Sequence, residues 1–385
     1  MSIEVDVAEL VQQRWGALLA QIGKAADHRQ LAGEAVPREF FAKAGAAGLI
    51  GFAFSQDIGG GGADLPTWGA VMEELARVCA EPAFPIVMSM GTGVASVLQA
   101  CGRPDLVEHY VQPIICGERT ATLAFSEDAD PFSMRTELRR AGDGYLLSGA
   151  KDFITGATTA DVFLTYGRDE AGRVVGFLVH HDDDGVEVMP AAGLGFRTSG
   201  MGRLVLRDVP IAADRVIGTD GLAHAQRYLN HRRLILTCLV TGMMRALLAR
   251  CVTRLRTTVR HGAHVTELPN VQAAIGRMHI AVETTRAVVA TTLARVAGGV
   301  VDPVFDVGIS AAKHFATEQA VMLATQAFRV LGGHAYYGDP RYGIFLQDCV
   351  ALLCAAGTQE LIEVNIGALV TAGLGEPSEK SEVLT

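Results

Sequence analysis

The chain has 385 residues, of which 49% are apolar, and its 33 Lys and Arg against 42 Asp and Glu give a formal net charge of −9. That length allows two or three subdomains and more than one core, and the composition is that of a globular chain rather than a disordered one. The acidic balance argues against non-specific nucleic-acid binding, which needs a basic footprint, and no uninterrupted apolar run reaches the roughly 18 residues of a bilayer span.

The first 118 residues are expected to be helical. Val7, Val11, Trp15, Leu18 and Leu19 recur at three- and four-residue spacing, and Phe40, Phe41, Ala44 and Leu49 follow more loosely. After a glycine-rich break at Gln56–Gly62 come Met72, Leu75 and Val78, then a helix over Met88–Leu98. No Lys-Ser/Thr follows the four glycines and no strand precedes them, so a phosphate-cradling loop is not expected there.

From 119 to 222 the period changes to two. Runs at Thr120–Ser126, Gly144–Gly149, Val162–Tyr166, Val174–Val179, Val186–Val188 and Arg203–Leu206 read as strands, which predicts a small barrel or sandwich. From 223 to 375 long helices return. One is expected over Leu229–Arg260, one from Pro269 to the Gly298-Gly299 stop, and one over Val304–Leu331, and helices of this kind pack as a bundle. The tail 376–385 is polar and expected to be loose.

Seven cysteines are scattered without a Cys-x-x-Cys pair, which points to reduced thiols, no metal site and a cytoplasmic chain. Cys354 is expected to be a small buried apolar residue. Met1–Asp6 lacks the basic and apolar regions of a secretion signal.

Several runs together resemble the acyl-CoA dehydrogenase flavoprotein family. They are Leu331-Gly332-Gly333-His334, Gln347-Asp348 and Gly357-Thr358-Gln359-Glu360, with Leu123-Ala124-Phe125-Ser126-Glu127, Gly149-Ala150-Lys151-Asp152-Phe153-Ile154-Thr155 and Gly195-Phe196-Arg197-Thr198-Ser199 upstream. The resemblance implies an α+β fold: an N-terminal helical domain, a central β-barrel or sandwich domain and a C-terminal four-helix bundle. It also implies FAD lying between the β domain and the bundle, in a homo-oligomer, tetramer or dimer, whose neighbouring subunit completes the cofactor site. By that resemblance Phe125 and Ser126 face the flavin ring, Phe153 covers it and Thr155 hydrogen-bonds it. Gly332 and Gly333 let backbone approach the diphosphate, and Thr358 and Glu360 touch the nucleotide part. The Gly195–Ser199 run is expected to be architectural.

The departures matter as much. The arginine that pairs with the diphosphate in the family aligns with Thr258, so Arg260 or Arg329 is expected to supply the charge instead. After Glu127 the loop that holds a serine near the thioester and pantetheine is shortened to Asp128-Ala129 before Asp130-Pro131, which weakens the case for ordinary CoA binding and admits a carrier-protein thioester. The glutamate that removes the α-proton in the family aligns with Ala356, and its alternative position with Arg232. A positioned base contributes roughly 10²–10⁴-fold, so its absence must be answered. Three answers are open: a histidine (His231, His261 or His334) serves as base; Arg232 binds a substrate carboxylate, with decarboxylation or an already acidic proton doing the rest; or reduced flavin and O₂ carry out oxygenation. The expected function is therefore FAD-dependent oxidation of an acyl or aminoacyl thioester in a biosynthetic pathway, with an electron acceptor or O₂. A flavin monooxygenase and an inactive flavin-binding homologue are the alternatives.

Overall fold

Val7–Gly23 forms helix α1 because Asp6 accepts from the Ala8 and Glu9 amides at its start, and because Val11, Trp15, Leu18, Leu19 and Ile22 fall on one buried stripe. The computed structural model describes residues 6–127 and 134–374, so the shortened loop after Glu127 and the tail from 376 lie outside the described residues. The N-terminal domain continues with α2 (Ala26–Ala32), α3 (Arg38–Ala46), α4 (Leu65–Val78), α5 (Ala83–Ala100), α6 (Pro104–Leu106) and α7 (Gln112–Ile115). Helix α5 is buried almost all round, as its apolar sequence Phe84-Pro85-Ile86-Val87-Met88 demands. The glycine break packs tightly against the chain: a Cβ at Gly60 would stand 2.1 Å from the Phe54 carbonyl oxygen. Gly60 and Gly61 serve close backbone packing, whereas a Cβ on Gly59 would meet nothing within 4 Å.

Eight strands then join in one sheet: β1 (Ala121–Ala124), β2 (Glu137–Ala141), β3 (Gly144–Ile154), β4 (Val162–Asp169), β5 (Val174–His180), β6 (Val186–Pro190), β7 (Gly202–Ile211) and β8 (Val216–Gly218). The order is β6-β7-β3-β2-β4-β5-β8, with β1 parallel to β4. Ala124, Leu138, Leu147, Phe163, Phe177, Leu204 and Val209 come from six of these strands and meet in a single cluster, so the sheet curls around its own core as a barrel does. Strands β2 and β8 are missed by the periodicity reading. Glu137-Leu138-Arg139-Arg140-Ala141 buries only Leu138, and a strand with one apolar anchor carries almost no alternation signal.

Helix α8 (Gly221–Arg256) runs through the centre of the molecule, packed by α9 (Pro269–Ala297), α10 (Val307–Leu331) and, from the N-terminal domain, α4 and α5. It ends four residues short of the predicted Arg260, because Val259–Arg260 (β9) and Ala263–His264 (β10) form a small hairpin turning at His261 and Gly262, both at positive φ. Helices α11 (Arg341–Cys354) and α12 (Gln359–Thr371) complete the bundle.

The expectation about apolar runs needs correction. Three helical stretches, Ala83–Ala100, Gly221–Arg256 and Arg341–Thr371, are long and apolar enough to cross a membrane by length and composition alone. In the first, 83% of the most apolar window is buried inside the fold, and in the second 67%, so their hydrophobicity is that of core helices. Only 22% is buried in the third, which leaves an apolar face on α11 and α12. Cys354 also departs from expectation: it is exposed, because α11 ends there and turns its last residue out of the bundle.

Candidate functional site

Two features of opposite character meet at the end of β3. Lys151 is fully buried and donates to Glu127 Oε1 at 2.7 Å, and the same carboxylate accepts from the Thr136 hydroxyl and from the Arg135 and Thr136 amides. Burial pulls the Lys151 amine down to about 8 against the opposing pull of Glu127. Burial would raise Glu127, but these donors hold it below the usual carboxylate range. Two residues on, Phe153 is 71% exposed and sits at φ 58°, a left-handed conformation that an aromatic residue rarely adopts. A rigid, ion-paired strand therefore ends in a strained ring presented to open space. Beside it, the half-buried Thr155 hydroxyl finds, among the described residues, only the Met201 thioether, at 3.6 Å, while the Thr155 carbonyl is taken by Thr122 Oγ1. Phe125 packs edge-on to Tyr166, and the exposed Ser126 uses its carbonyl to hold the Asp152 amide.

The second part of the site is the turn between α11 and α12. Ala356 adopts φ 55° and Gly357 φ 100°. Buried cations fix this turn. Arg233, on α8, donates through Nε to the Ala356 carbonyl at 3.0 Å and lays its guanidinium over the Phe305 ring. Lys313, on α10, donates through Nζ to the Leu353 and Gly357 carbonyls and to Gln359 Oε1. Thr358 then caps α12 through its hydroxyl, and Glu360 lies exposed in the first turn. Burial lowers Arg233 to about 10, and burial followed by the charge of Arg233 lowers Lys313 to about 8.

The neighbours of Arg233 on α8 point elsewhere. Arg232 is buried and donates to Ser89 Oγ on α5 at 2.8 Å. His231 has its Nε2 sealed from solvent with no partner, and burial together with the Arg232 charge pulls it to about 4. An imidazole held that low is a poor base at neutral pH. His334 packs edge-on to Tyr342, and His261 lies in the hairpin turn, so neither approaches Ala356 through any contact in the described residues.

The third part is a cleft of about 470 Å³ lined by Asn270, Val271, Ala274, Arg277, Gln326, Arg329 and Val330. Gly332 and Gly333 follow at once, and a Cβ on either would meet nothing within 4 Å. Arg260 is on the β9–β10 hairpin, exposed and bonded to its neighbour's carbonyl. Val265 after that hairpin packs with Val330 and Leu331, so the hairpin and the cleft share one end of the bundle.

The Gly195–Ser199 run ties the β domain to α11 and to the N-terminal helices. The Phe196 amide donates to Asp348 Oδ1 at 2.5 Å, and the Thr198 hydroxyl donates to Glu81, which also receives Arg29 and Gln30.

Comparison with known proteins agrees with this geometry over nearly the whole chain. Residues 9–118 match the acyl-CoA dehydrogenase N-terminal domain, 124–209 the middle domain and 219–370 the C-terminal domain. The chain belongs to the acyl-CoA dehydrogenase family. Among relatives of this family, cyclohex-1-ene-1-carbonyl-CoA dehydrogenase of Geobacter metallireducens is 27% identical over 345 residues, 86% of this chain and 88% of that one. The butyryl-CoA dehydrogenase of Megasphaera elsdenii superposes with a TM-score of 0.89 at 21% identity, covering 96% of this chain and all of the other. A prolyl acyl carrier protein oxidase, AnaB, superposes with a TM-score of 0.88 at 20% identity, covering 96% and 99%.

Acyl-CoA dehydrogenase family members are flavoproteins, and the residues present fit FAD. The exposed strained ring of Phe153, the under-used hydroxyl of Thr155 and the open diglycine beside the Arg329 cleft are all features that a flavin nucleotide would complete. Of the positions named from sequence, the fold gathers Phe125, Ser126, Phe153 and Thr155 at one strand end, and Arg260, Arg329, Gly332 and Gly333 at one end of the bundle. Sequence reading missed Ser89, Phe305 and Lys313. Each lies far along the chain from the group it contacts, and no local spacing announces it.

Proposed function

We propose that this chain is an FAD-dependent oxidoreductase acting on an acyl or aminoacyl thioester, carried by CoA or a carrier protein, in a biosynthetic reaction. The observation that carries the reading is Phe153, a large apolar ring kept in open space at positive φ by a buried Lys151–Glu127 pair two residues away. Such strain is retained where it serves a ligand. Relatives that oxidise acyl thioesters support the substrate class, and the prolyl acyl carrier protein oxidase supports a thioester borne on a carrier protein.

FAD, when bound, accepts two electrons from the substrate. Phe153 and Thr155 would hold its ring system, and Arg329 with Gly332 and Gly333 would hold its diphosphate. The protein's own residues do the remaining work. Arg233 and Lys313 fix the Ala356 turn against the substrate side of the bundle. Ala356 offers a methyl group where a proton acceptor would stand, so the turn shapes the site without titrating. Homo-oligomer formation fits the exposed Tyr336 and Tyr337, which are 85% and 91% exposed, and the outward Leu361 and Val364 of α12.

One observation favours a second reading. With Ala356 unable to accept a proton, flavin-dependent oxygenation is the alternative. Anaerobic titration of the flavin-loaded protein with acyl thioesters separates the two. Bleaching by a thioester alone is expected; a protein that stays coloured under every thioester, yet consumes O₂ once its flavin is reduced chemically, belongs to the second class.

A further inference from the structure

The fold's buried cations are not treated alike. Arg29 has Glu81 and Lys151 has Glu127, each within ion-pair distance. Arg232 is 7% exposed and has no carboxylate partner among the described residues. Its recorded hydrogen bond goes from Nη1 to Ser89 Oγ. Ser89 in turn donates its own proton to the Ile86 carbonyl at 2.7 Å, which fixes its oxygen as an acceptor aimed at Arg232. The Tyr228 hydroxyl, on the same face of α8, is turned to Met90. Next along the helix, Arg233 is bonded to a carbonyl and an amide oxygen and faces an aromatic ring, again without an acid among the described residues. Two consecutive buried guanidinium groups thus face two sides of α8 with neutral acceptors only.

A buried charge without a counter-charge is costly, and dipolar acceptors offset only part of that cost. Arg232 also keeps four N–H groups beyond the one given to Ser89, in the planar fork that matches a carboxylate. We propose that the acyl group this enzyme takes carries a second, anionic end, and that its free carboxylate pairs with Arg232, which Ser89 holds in place. The substrate class is then a dicarboxylic acyl thioester. This inference rests on the thioester reading above and specifies the acyl group within it. Arg232 acts as a specificity-determining residue, Ser89 as a positioning residue.

The test compares glutaryl-CoA with valeryl-CoA, of equal chain length, binding to the flavin-loaded protein and read from the flavin absorbance; CoA presents the same pantetheine arm as a carrier protein. Wild type is expected to bind glutaryl-CoA roughly tenfold to a hundredfold more tightly, the worth of a charge-assisted hydrogen bond. Arg232→Gln should abolish that preference, bringing glutaryl-CoA to the affinity of valeryl-CoA. Ser89→Ala, which keeps the charge, should weaken glutaryl-CoA alone by several-fold. Equal wild-type affinity for the two thioesters overturns the inference while leaving the thioester reading intact. Loss of both affinities together in Arg232→Gln also overturns it, because Arg232 would then be structural. If neither thioester binds the wild type, the thioester reading itself falls and this inference with it. Melting of the ligand-free protein gives an independent reading: Arg232→Met should melt no lower than wild type, and a marked fall would show that the guanidinium is a structural donor.

Discussion

Arg233 Nε lies 3.0 Å from the Ala356 carbonyl oxygen, so a guanidinium on the central helix holds a left-handed alanine in the turn before α12. A single Cβ at that φ costs roughly 1–2 kcal/mol, and the turn keeps it because Arg233 and Lys313 together take two of its carbonyls and that of Leu353 at the end of α11. The turn is thus built and braced, with only a methyl group mounted on it.

Ala356→Glu tests what that methyl group withholds. The braces act on backbone oxygens, so the variant should fold with the same turn. Anaerobic bleaching of the flavin by a neutral acyl-CoA should accelerate by about 10²–10⁴-fold, the usual contribution of a positioned base. An unchanged rate would show that proton removal does not limit the reaction.

Arg329→Ala should lower flavin retention through purification by tenfold or so, the order of one charge-assisted bond to a phosphate. Arg260→Ala should leave it nearly unchanged, since Arg260 is outside the cleft that Arg329 lines. Flavin content by absorbance after gel filtration decides between them. Equal content in Arg329→Ala and wild type removes Arg329 from the cofactor site.

Phe153→Ala separates ligand binding from folding. The ring is 71% exposed, so apo-protein melting should change little, while FAD affinity falls. A fall in apo-protein melting of ten degrees or more would mean that the ring packs within the fold instead.

Asp348 gives a pH prediction. Burial, with Glu81 adding to it against the Phe196 amide, raises this carboxyl to about 7. Between the unfolded value near 3.8 and the folded value near 7, the folded state binds the extra proton. Stability contributed by this group is therefore greatest at low pH and is lost as pH rises through 7. Asp348→Asn, which can still accept from the Phe196 amide, should be more stable than wild type at pH 8, with the difference closing towards pH 4. Urea denaturation at the two pH values measures it, and a difference that grows on acidification contradicts the assignment.

His231 runs the other way. Burial and Arg232 hold it near 4, against an ordinary value of 6.5, so the unfolded chain binds the proton first. Its contribution is lost as pH falls from about 6.5 to 4. A neutral replacement such as His231→Asn should flatten that limb of the stability curve, and an unchanged slope would show that His231 is solvated.

Much of the architecture was legible because it rests on local periodicity. The buried stripe of α1, the Pro269 start and Gly298 end of α9, and the alternation of β3 to β7 are spacing and capping effects that neighbouring residues impose on one another. Strands β2 and β8 escaped for the same reason: with one buried residue each, they carry almost no alternation for neighbouring residues to reveal. Cys354 was misplaced because an apolar neighbourhood in sequence does not reveal where a helix ends against solvent.

The site divides along the same line. Ala356 and Arg232 stand in the sequence itself, and so the absence of a carboxylate at both positions was determined by it. What the tertiary structure decided is which charges are answered. It gave Glu81 to Arg29 and Glu127 to Lys151 and, among the described residues, brought the neutral Ser89 to Arg232, across 143 residues of chain. Counter-charges are matched by packing between segments distant along the chain, and residue order does not encode which of those segments will meet.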